Sequence, residues 1–291
     1  RMDVLVQLMI NGIMLGSMYA IISVGLTLIF GVVRVVNFAH GELLMIGMYA
    51  VYLLCTKLGL HPYIAAFPVI ILLFVTGVLI QRFIIQPLLN ADEHIQIFAT
   101  VGLSTALINL ALLVFGADLY SVNSPDIRHS LKLGSYNVLV GQLVMFGAAV
   151  FLVVGLHAFM QQTALGRAIR ATAQNRNAAL LMGVRVNQIY IISFGLGAAC
   201  VGLASALVSP LFPTTPTVGT YFVLTAFVVV VLGGMRSMYG AFWGAMIIGL
   251  VDSLSAYYIA PDLKEVVYFA IFILILIFKP TGLFGFGRGT E

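Results

Sequence analysis

The chain has 291 residues, 62% of them apolar and only 8% charged, with a formal net charge of +4. Soluble domains carry about 25% charged residues, so the composition excludes a soluble enzyme, and a mean hydropathy of +1.11 places the chain in a bilayer. A sequence pI of about 9.1 does not signal nucleic acid, because charges this sparse cannot build a basic surface.

The opening residues carry no small-residue cleavage site, so no removable leader is expected, and Arg1 is set aside from the fold. Nine apolar stretches follow, at 5–30, 39–56, 62–81, 96–115, 138–160, 187–208, 221–235, 239–258 and 263–279. A helix rising 1.5 Å per residue needs about 20 residues to cross, and 221–235 is shorter than that. The first stretch is interrupted by Asn11-Gly12 and Gly16-Ser17. Asp118–Tyr136, polar and carrying Pro125 and Gly134, reads as the longest outside loop. Pro210, Pro213 and Pro216 follow the sixth stretch, and each removes an amide donor. That run is either an ordinary outside loop or a broken helix facing a pathway, since irregular backbone at membrane depth needs protein or water around it.

Arg167, Arg170, Arg176 and Arg185 mark their segment as cytoplasmic. Alternation from there puts Arg34, Arg82, Arg236, Lys279 and Arg288 on the same side, and Lys57, Arg128, Lys132 and Lys264 outside. Nine crossings thus give an outer N-terminus and an inner C-terminus. The expected fold is an all-α polytopic membrane helix bundle, with about eight or nine crossing segments and broken helices, as a single transmembrane domain over 1–291. A faint echo links Gly31-Val-Val-Arg34 and Gly41 to Gly233-Gly-Met-Arg236 and Gly240, weak support for a duplication. Cys55 and Cys200 lie in apolar stretches and read as buried free thiols.

Absent motifs narrow the chemistry. None of the four lysines follows a glycine, so there is no P-loop for ATP. His40, His61, His94, His129 and His157 are scattered and spell no metal site. Neither an Asn-Pro-Ala pair nor a G-x-S-x-G elbow occurs. Catalysis by this chain is not expected, and it should bind no cofactor.

The cytoplasmic segment 165–184 is rich in alanine, a strong helix former. On a helix, Ala168, Ala171, Asn175, Ala178, Ala179 and Met182 share one small-residue face, with Arg167, Arg170 and Asn177 elsewhere. Gly183 can supply the left-handed residue that ends it. Such a helix suits a cleft on a soluble partner, or lies on anionic lipid through its arginines.

Asn177-Ala-Ala-Leu-Leu-Met-Gly183 resembles the E-A-A-x-x-x-G coupling loop of bacterial ABC importer permeases, with Asn177 in place of the glutamate and no trailing I-x-L-P. That departure points away from the maltose-type branch and toward the branched-chain amino acid branch. Asn11-Gly-Ile-Met-Leu-Gly-Ser-Met-Tyr-Ala20 and Gly25 through Glu42 resemble the N-terminal signature of LivH-type permeases. Val231-Leu-Gly-Gly-Met-Arg-Ser-Met-Tyr-Gly-Ala-Phe-Trp-Gly244 resembles their C-terminal glycine signature. The likeness spans nearly the whole chain. It implies an inner-membrane permease pairing with a second, LivM-like permease, driven by two ATPase subunits that bind Mg-ATP and supplied by a periplasmic substrate-binding protein. ATPase coupling is then expected at Arg167, Arg170, Ala171, Gln174, Asn175, Asn177, Ala178, Ala179, Met182 and Gly183. Gating or the translocation path is expected among Asn11, Asn37, His40, Glu42, Gly47, Gly233 and Gly234.

Glu42 stands just inside the second stretch, near the inner boundary, with Arg34 or His40 as its expected partner. Ionisable residues in a membrane are costly and mark function by default; the first reading of Glu42 is a structural polar knot tying the first inner turn, and the alternative is gating, in which ATP-driven closure rearranges that knot. Asp252 either meets Lys264 or faces the outer headgroups. Gly47, Gly102, Gly195, Gly197 and Gly202 are chiefly packing glycines. The function expected is an ATP-driven importer subunit for branched-chain or other hydrophobic amino acids, though similar permeases serve urea, amides or aromatic acids. The alternative is a stand-alone secondary transporter or channel, and an intramembrane enzyme lacks a recognisable nucleophile–base pair.

Overall fold

A computed structural model describes residues 2–284, so Arg1 and Arg288 lie outside the described residues. All nine apolar stretches are helical. They are α1 (Met2–Val33), α2 (His40–Leu58), α3 (Pro62–Leu88, with a π-helical turn at Gln81–Ile85), α4 (Glu93–Phe115), α5 (Val140–Gln162), α8 (Val186–Val208), α9 (Val218–Gly233), α10 (Met238–Tyr258) and α11 (Lys264–Phe278). Between α5 and α8 lie two short helices, α6 (Ala164–Gln174) and α7 (Arg176–Leu181). Seven of the helices are long and apolar enough to cross a bilayer. The other two apolar helices, α9 with 16 residues and α11 with 15, are shorter than the rest.

Successive connections fall at alternate ends of the bundle. At one end the Arg34 guanidinium donates to the Ala173 carbonyl at 3.0 Å. A cavity there is lined by Arg34, Leu89, Ala91, Thr172 and Arg176, and Leu283 N donates to Leu232 O at 2.7 Å. At the other end Gln7 and Asn137 exchange two hydrogen bonds of 2.9 and 3.0 Å, and Arg128 donates to Pro210 O at 2.8 Å. This alternation agrees with the orientation expected from the basic residues, the first end being the inner one.

The interruption expected in the first stretch does not exist, because α1 is one continuous helix. Its glycines serve close approach instead. Gly12 abuts Gly249 and Leu250, and Gly16 abuts Ala245 and Met246, so α10 lies directly on the α1 backbone. A helix apolar all round is a buried helix, and α1 is the centre of the molecule, with 83% of its apolar window buried. The outer connection 116–139 is more than a loop. It contains a hairpin, β1 (Ser130–Leu133) against β2 (Tyr136–Leu139), in which Ser130 faces Leu139 and Gly134 turns at φ 66°.

Packing reveals two inverted halves, α1–α4 and α8–α11. α1 lies chiefly on α10, and its counterpart α8 lies chiefly on α3. α2 meets α8 as α9 meets α1, and α2 and α9 meet each other. α4 touches α2 as α11 touches α9. Because α1 enters from the outer end and α8 from the inner, the halves have opposite topology, an arrangement that recurs in transporters. The counterpart of the 34–39 turn is therefore 209–217, not 233–240. The sequence echo between the glycine–arginine turns is no trace of the duplication. It joins two turns that lie side by side, with Gly31 next to Met235 and Arg236.

Candidate functional site

Glu42 is not at the inner boundary. After α1 ends, Arg34 takes a left-handed conformation with φ 60°, and residues 34–39 run back into the bundle without helix. His40 then bonds through Nε2 to the Ile22 carbonyl at 3.1 Å. A carbonyl only accepts, so Nε2 carries the proton. Ile22 lies about 16 Å from the inner end of α1 at helical rise, which puts the start of α2 near the middle of the membrane.

The proline-rich run resolves into the broken-helix alternative. Thr214 pairs with Tyr120 at the outer end, and α9 begins only at Val218. Gly219 meets Gly41 backbone to backbone, and a methyl on either glycine would overlap the other's carbonyl. Two half-helices thus start head to head at mid-depth, one running outward and one inward. Helix starts leave amides without intrahelical partners; here His40 N is taken up by Asn37 O at 3.3 Å and Val218 N by Thr215 O at 3.2 Å, and both starts carry the positive end of a helix dipole.

The Glu42 carboxylate occupies this junction. It is fully buried, Oε1 accepts from Ser104 Oγ of α4 at 2.8 Å, and Oε2 makes no hydrogen bond of good geometry, with the Thr220 hydroxyl of α9 beside the carboxylate. Asn37 Oδ1 accepts from Ala39 N at 3.1 Å, while Asn37 Nδ2 and His40 Nδ1 are buried without partners. Neither expected partner of Glu42 pairs with it. Arg34 is spent on Ala173, and His40 turns to Ile22.

Asp252 meets Lys264, one of the two alternatives. Its Oδ1 lies 3.2 Å from Lys264 Nζ, and its Oδ2 accepts from Tyr19 at 2.7 Å. Lys264 also reaches the Tyr221 hydroxyl at 3.3 Å. Outside the membrane, Asp126 pairs with His61 at 2.8 Å, and that hydrogen bond holds its carboxyl below the usual range.

The inner segment departs from a single helix. Asn175 takes an extended conformation and caps α7 by accepting from Ala178 N at 3.0 Å, so the shared small-residue face does not form. Ala179 turns inward and is buried, whereas Leu181 and Met182 are 88% and 84% exposed. Arg167, Ala171, Gln174, Asn177 and Ala178 are also exposed, and Arg170 is half-buried. Gly183 has φ 81°, the left-handed stop expected of it.

The family description "Branched-chain amino acid transport system / permease component" matches residues 8–276. The chain belongs to this permease family. It is 30% identical to the high-affinity branched-chain amino acid transport system permease protein LivH of Salmonella typhimurium, over 96% of this chain and 95% of the relative. It is 31% identical to the permease protein BraD of Pseudomonas aeruginosa over the same shares. It is 26% identical to the ribose import permease protein RbsC of Haemophilus influenzae, over 83% of this chain and 77% of the relative. No solved structure matches. As a permease of this family with seven long apolar helices, it is a multi-pass inner-membrane protein whose relatives are transport subunits.

In this permease only Asn37, His40 and Glu42, among the expected path residues, come together. Asn11 lies at the outer end, accepting from Gln7 at 3.0 Å and lining a cleft of about 390 Å³ with Asn137 and Gln142. Gly47 is a packing site against Ser205 and Leu73. Gly233 and Gly234 form the inner turn, Gly233 against Gly240 and Gly234 at φ 102°. Sequence reasoning missed Ser104, Tyr19 and Tyr221. A serine or tyrosine in an apolar helix carries no signal until its partner across the bundle is known.

Proposed function

We propose that this chain is one of two permease subunits of an ATP-driven importer, carrying branched-chain or other hydrophobic amino acids. A second, LivM-like permease completes the path, two ABC ATPase subunits bind Mg-ATP below, and a periplasmic binding protein delivers solute from above. Lipid surrounds the remaining helices. Selectivity rests largely with the binding protein, since the same scaffold supports relatives named for different solutes.

The observation that supports ATP coupling is the exposed tip of the α6–α7 segment. Leu180, Leu181 and Met182 are consecutive and exposed at the end of α7. Contiguous exposed apolar residues mark a binding surface, and helix-in-groove docking uses such anchors. The ATPase groove is their proposed seat. Because Ala179 is buried, a charge there tests packing, and Leu181 is the better probe. In the purified complex, Leu181→Glu should keep the permease in the membrane and abolish ATP-driven uptake. Full uptake by that variant overturns the docking assignment.

Glu42 favours one other reading, a stand-alone proton-coupled transporter, because an unpartnered carboxylate at mid-membrane is the usual equipment of proton relays. That reading requires uptake into liposomes without ATP, collapsed by a protonophore.

A further inference from the structure

We infer that Arg34 is a positioning residue, tying the α6–α7 segment to the re-entrant turn that carries Asn37, His40 and Glu42. The inference rests on the ATP-driven reading proposed above and names the linkage by which the docking segment moves the mid-membrane junction.

Three observations carry it. The Arg34 guanidinium donates to the Ala173 carbonyl at 3.0 Å, across 139 positions of sequence. Ala173 sits at the last turn of α6, immediately before the break at Asn175, so the bond grips the docking segment at its elbow. Arg34 is also the one non-glycine residue with positive φ among the described residues. A long side chain in that region is disfavoured, and such conformations persist where surrounding contacts hold them and cluster at switch regions. Finally, a cavity of about 340 Å³ lies beside the bond, lined by Val32, Leu89, Gln96, Thr172 and Arg176. At the rim of this cavity the guanidinium joins α6 to the turn, while Ile169 and Thr172 bury the inward face of α6.

Beyond Arg34 the turn has little slack. Val36 O accepts from Thr100 at 3.2 Å, Asn37 caps Ala39 N, and His40 is fixed to Ile22. Displacement of residue 34 is handed along the five residues 35–39 to the start of α2, two positions before Glu42. Arginine also satisfies helix C-terminal carbonyls, and a cap of that kind would matter only for the order of α6. The two roles differ in what their loss does: a lost cap weakens docking and hydrolysis together, whereas a lost link leaves hydrolysis intact and separates it from transport.

Arg34→Gly removes the guanidinium and suits the left-handed backbone, so the turn is retained. Arg34→Lys keeps a donor of one charge. In the complete complex with its ATPase and second permease subunits, Arg34→Gly should hydrolyse ATP within about twofold of the parent while uptake per ATP falls about tenfold, and Arg34→Lys should recover much of the loss. A second measurement follows the junction itself. Thr217 is exposed at the start of α9, and Thr217→Cys, with Cys55 and Cys200 replaced by alanine, should change its maleimide labelling between the resting and vanadate-trapped complexes. Arg34→Gly should erase that change. Parental transport by Arg34→Gly, or an undiminished labelling change in it, overturns the inference. A parent complex that takes up solute without ATP is a different failure, which removes the ATP-driven reading and this linkage with it.

Discussion

The two inverted halves each bury one carboxylate, and they treat it in opposite ways. Asp252, packed where α10 meets α1 and α11, has both oxygens engaged, one by the Lys264 ammonium and one by the Tyr19 hydroxyl. Glu42, at the start of α2, has one oxygen on Ser104 and no cation on either, with only the Thr220 hydroxyl beside it. Breaking a buried ion pair strands a charge, so a satisfied carboxylate is a fastener. An unsatisfied one at the meeting of two half-helices holds no charge partner in place. The peripheral helices differ in what they touch: α11 packs on both α9 and α10, while α4 meets α2, and each is mostly exposed, with Tyr268 buried in α11 and Thr100 and Ala111 in α4.

The largest effect belongs to the fastener. Lys264→Met should lower the unfolding free energy by about 3–5 kcal/mol, read as a fall in the melting temperature in detergent. Adding Asp252→Asn should restore much of it, and a double variant as unstable as the single would show that Asp252 does not depend on Lys264.

The junction should respond through packing before charge. Gly41→Ala puts a methyl against the Gly219 carbonyl, and overpacking of that kind costs about 1–3 kcal/mol. On α4, Gly102 has open space around it, so Gly102→Ala should cost nothing and raise the melting temperature slightly, since glycine is the poorer helix former. Equal losses in the two variants would mean that the half-helix starts are not in close contact.

Glu42→Gln should have the smallest effect on stability, about 1 kcal/mol or less, because no cation is left unpaired and the amide oxygen still accepts from Ser104. Its uptake should nevertheless fall well below that of the parent in liposomes containing the complete complex. Parental uptake by this variant would make Glu42 a polar knot like Asp252, and the contrast between the halves would vanish.

What was legible from sequence was whatever depends on one segment at a time. Apolar length located all nine helices, because a bilayer demands about 20 apolar residues whatever the neighbours are. The basic residues oriented them by the same local logic. Asn37, His40 and Glu42 were visible as a cluster because they are adjacent in sequence. Their depth was not, since it depends on a left-handed Arg34 and a return path that only α1 can define. Asn11-Gly12 looked like a break because nothing in the sequence shows α10 pressing on α1. The face drawn through Ala179 failed because Asn175 found a better use as a cap for α7 than as a helical residue.

By itself, then, the sequence determined that this is a membrane permease of a recognisable family, where its nine apolar helices lie, and that an arginine-rich segment joins the fifth of them to the sixth. Tertiary structure alone decided that the chain is two inverted halves, that two helices begin head to head at mid-membrane, and that one carboxylate is paired while the other is left open. The physical reason is range: hydropathy and charge act on each segment separately, whereas satisfaction of a buried polar atom depends on a partner that may lie more than two hundred residues away, as Tyr19 does from Asp252.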